Sequence, residues 1–83
     1  MDIEIYTLSY CPYCIKAKEF FKEKGLEFIE HSLDGDEEKN FSELQKKFDI
    51  KGDVTAPQII IDGKRIGGYT DLMEAVSKHE ITF

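Results

Sequence analysis

The chain has two cysteines, and they stand together as Cys11-Pro12-Tyr13-Cys14. A pair at this spacing can exchange electrons as a dithiol and disulfide, supply half of a metal site, or sit inert. Zinc needs four ligands, and only His31 and His79 could complete a set; each is single, they lie far apart in sequence, and neither shows ligand spacing. An inert structural pair at a helix start stays open. The proline between the sulfurs favours redox use for a physical reason. Pro12 suits the first position of a helix, where its missing N–H would have no partner and its φ is already helical. Cys11 then becomes the N-cap and Cys14 the third helical residue. Free N–H groups of the first turn, with the positive end of the helix dipole, point at the Cys11 sulfur and favour thiolate over thiol. Lys16 and Lys18 add to the same field. Thiols at helix N-termini titrate at about 3.5–7.5. Cys14, one turn inward, is expected to keep a higher pKa and to lie within reach of a disulfide. The pair divides into an attacking and a resolving sulfur.

Two further segments carry groups suited to holding a ligand. Thr55-Ala56-Pro57 precedes an apolar run. Pro57 there either opens an edge strand, where a lost N–H is harmless, or follows a cis bond that turns backbone groups of Thr55 towards the Cys11 sulfur. Gly67-Gly68-Tyr69-Thr70-Asp71 joins a strand to a helix. Its glycines allow close backbone approach, the helix start offers N–H groups to a carboxylate, and Asp71 can pair with an ammonium. Such a combination suits the α-amino-acid end of a peptide. The same residues also make an ordinary turn and N-cap.

The elements that must position these groups follow from periodicity. Ile3 to Leu8 is apolar, β-branched and aromatic, and reads as a buried strand. Pro12 through Lys24 places Cys14, Ala17, Phe20 and Phe21 on one face of a helix, with Gly25 as its stop. Leu26 to Ser32 reads as a second strand, and Asp34-Gly35-Asp36 as a turn. A second helix spans about Glu37 to Asp49 with Phe41, Leu44 and Phe48 on one face; Ser42-Glu43-Leu44-Gln45 offers a competing capping box for its start. Gln58 to Ile61 and Lys64 to Gly67 form a hairpin around Asp62-Gly63. A last helix runs from about Thr70 to Lys78. The order β-α-β-α-β-β-α predicts an α/β fold: a mixed four-stranded sheet flanked by three helices, with a right-handed crossover in the first β-α-β unit.

With 83 residues, 41% hydrophobic and 34% charged, the expectation is one small domain over residues 1–83 with a packed core and one site at its edge. A net charge of −6 argues against a phosphate-backbone binder, so no nucleic-acid partner is expected. No run approaches the roughly 18–20 apolar residues of a membrane span. The start, MDIEIYTLSY, lacks the basic region and cleavage site of a signal peptide. Two clustered cysteines do not suit a disulfide-stapled secreted domain. The expectation is a cytoplasmic monomer without membrane contact.

CPYC at a helix start, TAP before a strand, and GGYTDL before the last helix stand in order along one chain. Together they resemble the glutaredoxin family, dithiol class, over essentially the whole length. The resemblance implies a thioredoxin-like fold and a thiol–disulfide oxidoreductase that reduces protein disulfides and glutathione mixed disulfides. It implies no bound cofactor and no metal; glutathione is a co-substrate, and glutathionylated or disulfide-containing proteins are partners. Cys11 would attack the mixed disulfide and Cys14 would resolve the protein-bound intermediate. Pro57 would be the family's cis-proline, and Thr55 would offer its backbone to the cysteinyl part of glutathione. Thr70 and Asp71 would receive the γ-glutamyl carboxylate and amino group, Gly68 would belong to the same glutathione site, and Tyr13 would lie beside the tripeptide.

Two positions depart from the family pattern. A lysine is common three residues before the first cysteine, where this chain has Leu8, and an arginine is common just before Thr-x-Pro, where it has Val54. Lys16, Lys47 and Lys51 are the candidate substitutes. The departures keep a second reading in view, a redoxin recharged by thioredoxin reductase with weak glutathione binding. A third, an iron–sulfur cluster carrier, is disfavoured by Pro12 and the second cysteine.

Overall fold

Five residues of alternating burial, Ile3–Thr7, form strand β1 at the centre of a four-stranded sheet. The computed structural model describes all 83 residues, Met1–Phe83. The remaining elements are α1 (Pro12–Glu23), β2 (Ile29–Ser32), α2 (Glu37–Phe48), β3 (Gln58–Ile61), β4 (Lys64–Gly67) and α3 (Tyr69–Ser77). The sheet order is β2-β1-β3-β4. β1 runs parallel to β2, with Glu4 opposite Ile29, and antiparallel to β3, with Ile5 opposite Ile59. β3 and β4 form the antiparallel hairpin, and Asp62 and Gly63 both take the positive φ that a two-residue turn demands (51° and 81°). The expected α/β architecture and element order are those observed.

Alternation along β1 sorts the core into two layers. Ile3 and Ile5 point to one face and pack with Ile59 and Ile61 of β3, Ala17 and Phe21 of α1, and Leu72 of α3. Tyr6 points to the other face, against a cluster of Leu8, Cys11, Cys14, Leu33, Leu44 and Ile50, with Leu44 contributed by α2. Phe21 is fully buried, which contributes about 1.5–3 kcal/mol. The second cluster matters for function, because it contains both sulfurs.

Apart from the start of the second strand, element boundaries fall within one residue of expectation, and three element starts have a visible local cause. The second strand begins at Ile29 rather than Leu26. The Leu26 N–H is used to close α1, bonding the Phe21 carbonyl at 2.9 Å while the Gly25 N–H bonds that of Lys22 at 3.0 Å. This is a Schellman closure, with Gly25 at φ 71°. The start of α2 is settled by Asp36, whose carboxylate accepts the Lys39 N–H at 3.2 Å; Ser42 therefore lies inside the helix. The last helix begins one residue early, at Tyr69, with Gly68 as its N-cap. No helix is long and apolar enough to cross a membrane.

Candidate active site

Cys11 occupies the N-cap of α1 with extended backbone (φ −91°, ψ 112°), and Pro12 is the first helical residue. Its sulfur accepts the Cys14 N–H at 3.2 Å. The thiol in turn donates to the Ala56 carbonyl at 3.5 Å. Both cysteines are free thiols. Cys14 is 1% exposed, closed in by the second core cluster, whereas Cys11 keeps 9% of its surface open at the rim.

Burial first, and the hydrogen bond with Cys11 second, push the Cys14 thiol up to about 12. Cys14 therefore holds its proton at neutral pH. The shift also links stability to pH. The unfolded chain releases the Cys14 proton from near 9.0, while the folded chain keeps it to about 12. The stability tied to this proton is full below that range and drains away as pH rises through it. In urea titrations of the reduced protein, the midpoint is expected to fall faster above pH 9.0 in the wild type than in Cys14→Ala. Parallel profiles would contradict the burial argument.

The Ala56–Pro57 bond is cis, which resolves the alternative left open for this proline. The carbonyl facing the sulfur is that of Ala56. The Thr55 carbonyl instead accepts from the Gln58 side-chain amide at 2.8 Å, and Thr55 is exposed. Ala56 and Gln58 are thus parts of the site that sequence reasoning missed. The available signal was Gln58 itself, a polar side chain opening the otherwise apolar strand QIII.

The third motif meets the other two at the start of α3. Gly68 caps the helix without a side chain, and Asp71 compensates by accepting the Gly68 N–H at 2.9 Å through Oδ2. Gly67 has φ 114°, and a Cβ there would stand 2.5 Å from Asp71 Oδ2, so this position requires glycine. A Cβ on Gly68 would come within 3.6 Å of the Pro57 carbonyl, which measures how closely the helix start abuts the Thr55–Pro57 loop. Tyr13 and Tyr69 close one side with ring centroids 6.1 Å apart, and the Lys16 ammonium lies 5.2 Å from the Tyr13 centroid. Thr70 and Asp71 are exposed beside them. Cys11, Tyr13, Pro57, Gly68, Thr70 and Asp71 therefore share one end of the sheet.

Leu8 and Val54 are apolar for a visible reason: Leu8 is a buried member of the cluster around the cysteines and Val54 packs on that cluster. Among the candidate substitutes, Lys47 bonds the Tyr6 hydroxyl at 3.2 Å and Lys51 pairs with Asp49 at 3.2 Å, leaving Lys16 as the cation at the rim. His31 stacks on Tyr6 and bonds Glu4 at 2.8 Å.

A rim sulfur at a helix N-cap, a protonated partner one turn inward and a cis-proline loop across from them define a thiol–disulfide oxidoreductase of the thioredoxin-like fold. The glutaredoxin family model matches residues 3–66. The chain is 41% identical over 71 residues to glutaredoxin 3 of Escherichia coli strain K12, covering 86% of this chain and 81% of that one. Its structure resembles that of glutaredoxin 1 from Francisella tularensis complexed with cacodylate, with TM-score 0.81, 33% identity and 95% of each chain covered. A buckwheat glutaredoxin–glutathione complex, at 24% identity, shares the fold with TM-score 0.78 over 94% of this chain and 70% of that one. The chain belongs to the glutaredoxin family, and its activity is glutathione-dependent thiol–disulfide exchange at a Cys-x-x-Cys dithiol.

Proposed function

We propose that this protein reduces both glutathione mixed disulfides and protein disulfides, with the Cys11 sulfur as nucleophile and the rim of Tyr13, Thr55, Pro57, Gly68, Thr70 and Asp71 as the glutathione site. The observation that carries this reading is the Cys11 sulfur held between the Cys14 N–H and the Ala56 carbonyl, beside that rim. In the monothiol route the Cys11 thiolate attacks the glutathione sulfur of a mixed disulfide and releases the substrate thiolate. A second glutathione thiolate then attacks the Cys11–glutathione bond, giving glutathione disulfide and free Cys11. In the dithiol route Cys11 attacks a protein disulfide, and Cys14 gives up its proton and closes a Cys11–Cys14 bond as the substrate thiol leaves. Two glutathiones restore the dithiol. The buckwheat complex supports glutathione as the ligand, since that relative shares the fold. We read the protein as a cytoplasmic monomer whose partners are glutathione and oxidised or glutathionylated proteins.

Asp71 tests the ligand side. Its Oδ2 is committed to the helix cap, which leaves Oδ1 for the α-ammonium of the γ-glutamyl group. Asp71→Ala is expected to lose one charge-assisted contact, roughly 1–3 kcal/mol, seen as a rise of about tenfold in the KM for glutathione. The cap is lost as well, so thermal stability is measured in parallel. An unchanged KM would favour a different electron donor.

The apolar, core-packed Leu8 and Val54 favour the second reading, recharging by thioredoxin reductase, because they leave two positions around the site without a cation. Coupling the protein separately to glutathione with glutathione reductase and to thioredoxin reductase decides between them. Turnover with glutathione is expected; turnover confined to thioredoxin reductase would overturn the glutathione assignment.

A further inference from the structure

Strand β3 is buried at all four positions, and three of them are isoleucine; the fourth is Gln58, 3% exposed. Burying an amide costs several kcal/mol on an apolar scale unless its donors and acceptor are bonded. Both ends of Gln58 are bonded. Its Nε2 donates to the Thr55 carbonyl at 2.8 Å, and its Oε1 accepts from Arg65 Nη1 of β4 at 3.2 Å. An apolar residue would fill the same strand position without needing partners, but it would leave the Thr55 carbonyl without its donor.

We infer that Gln58 is a positioning residue for the reaction, anchored by Arg65, and that it sets which backbone carbonyl of the Thr55–Pro57 loop faces the reacting sulfur. With the Thr55 carbonyl drawn to Gln58, the next carbonyl, that of Ala56, is the one placed 3.5 Å from the Cys11 sulfur. A tripeptide disulfide docking its backbone along this loop meets groups whose direction Gln58 has already chosen. Neither Gln58 nor Arg65 contacts the sulfur, so their effect falls on substrate affinity more than on the exchange step. The consequence for substrate rests on the glutathione site proposed above; the consequence for the loop does not.

The test uses Gln58→Met, which keeps the approximate volume and removes both hydrogen bonds, beside Ile61→Val as a core substitution on the other face of the strand. Gln58→Met is expected to raise the KM for a glutathione mixed disulfide about five- to tenfold with kcat within about twofold of wild type. Ile61→Val is expected to lower thermal stability with KM unchanged. Arg65→Met is expected to give a smaller rise, and none when added to Gln58→Met, because the two act through one chain. The Thr55 carbonyl carbon resonance, read by NMR, is expected to move upfield in Gln58→Met and to hold in Ile61→Val. A wild-type KM in Gln58→Met, an equal rise in Ile61→Val, or additive effects of the two β3–β4 substitutions would overturn the inference. Should wild type turn over only with thioredoxin reductase, the glutathione reading fails. The Thr55 resonance and the KM for a protein disulfide in that assay then decide on Gln58 by the same criteria.

Discussion

Replacing Cys11 by serine is expected to bring turnover of glutathione mixed disulfides and of protein disulfides down to the uncatalysed background. A serine hydroxyl in the same cap can still accept the Cys14 N–H, so the fold and the helix start survive the change. The sulfur nucleophile does not survive it. Cys14 cannot take over, because it is 1% exposed and its thiol is pushed up to about 12. It holds its proton at neutral pH and is closed off from a bulky disulfide by the same residues that bury it. The measurement is initial rate with each substrate at matched protein concentration, alongside a thermal melt. Retention of more than a few per cent of activity in a folded Cys11→Ser protein would reassign the nucleophile.

Cys14→Ser is expected to divide the two activities rather than remove both. Reduction of a glutathione mixed disulfide needs a single sulfur, since a second glutathione completes the cycle. Reduction of a protein disulfide by the dithiol route needs Cys14 to displace the bound substrate from Cys11. The variant is therefore expected to keep its rate on a glutathionylated peptide within a few-fold of wild type and to lose reduction of a protein disulfide. The geometry makes the split clean: Cys14 reaches Cys11 through its own N–H, and that contact belongs to the backbone and persists without the sulfur. Equal loss of both activities would contradict the division of labour between the sulfurs.

Much of this arrangement was legible because a few residues have only one comfortable role. Pro12 has no N–H, so it opens a helix and forces Cys11 into the cap; the structure puts both where that logic requires. Asp62-Gly63 accepts positive φ at two successive positions, which few pairs do, and it marks the hairpin. Other features were hidden by choices made in three dimensions. The beginning of β2 depends on whether Leu26 closes α1 or joins the sheet, and local pattern favours both equally. Asp36 and Ser42 are each good caps, and tertiary packing of Leu44 and Phe41 selects the first. At α3 the cap is a glycine, so the signal lies three residues downstream in Asp71. The cis bond at Pro57 suggests that Thr55 backbone groups face the sulfur, yet the Thr55 carbonyl is held by Gln58 and the carbonyl beside the sulfur comes from Ala56. Backbone direction in a loop is set by its partners, here a side chain three residues downstream and a sulfur 45 residues away.

The central claim is that chemistry begins with a bond between glutathione and one particular sulfur. Incubating the Cys14→Ser protein with glutathione disulfide, quenching with acid and mapping the adduct by mass spectrometry examines that bond itself. One glutathione per chain, located at Cys11 and released by added free glutathione, is the expected result. No adduct at Cys11, or one that added glutathione cannot remove, would contradict it.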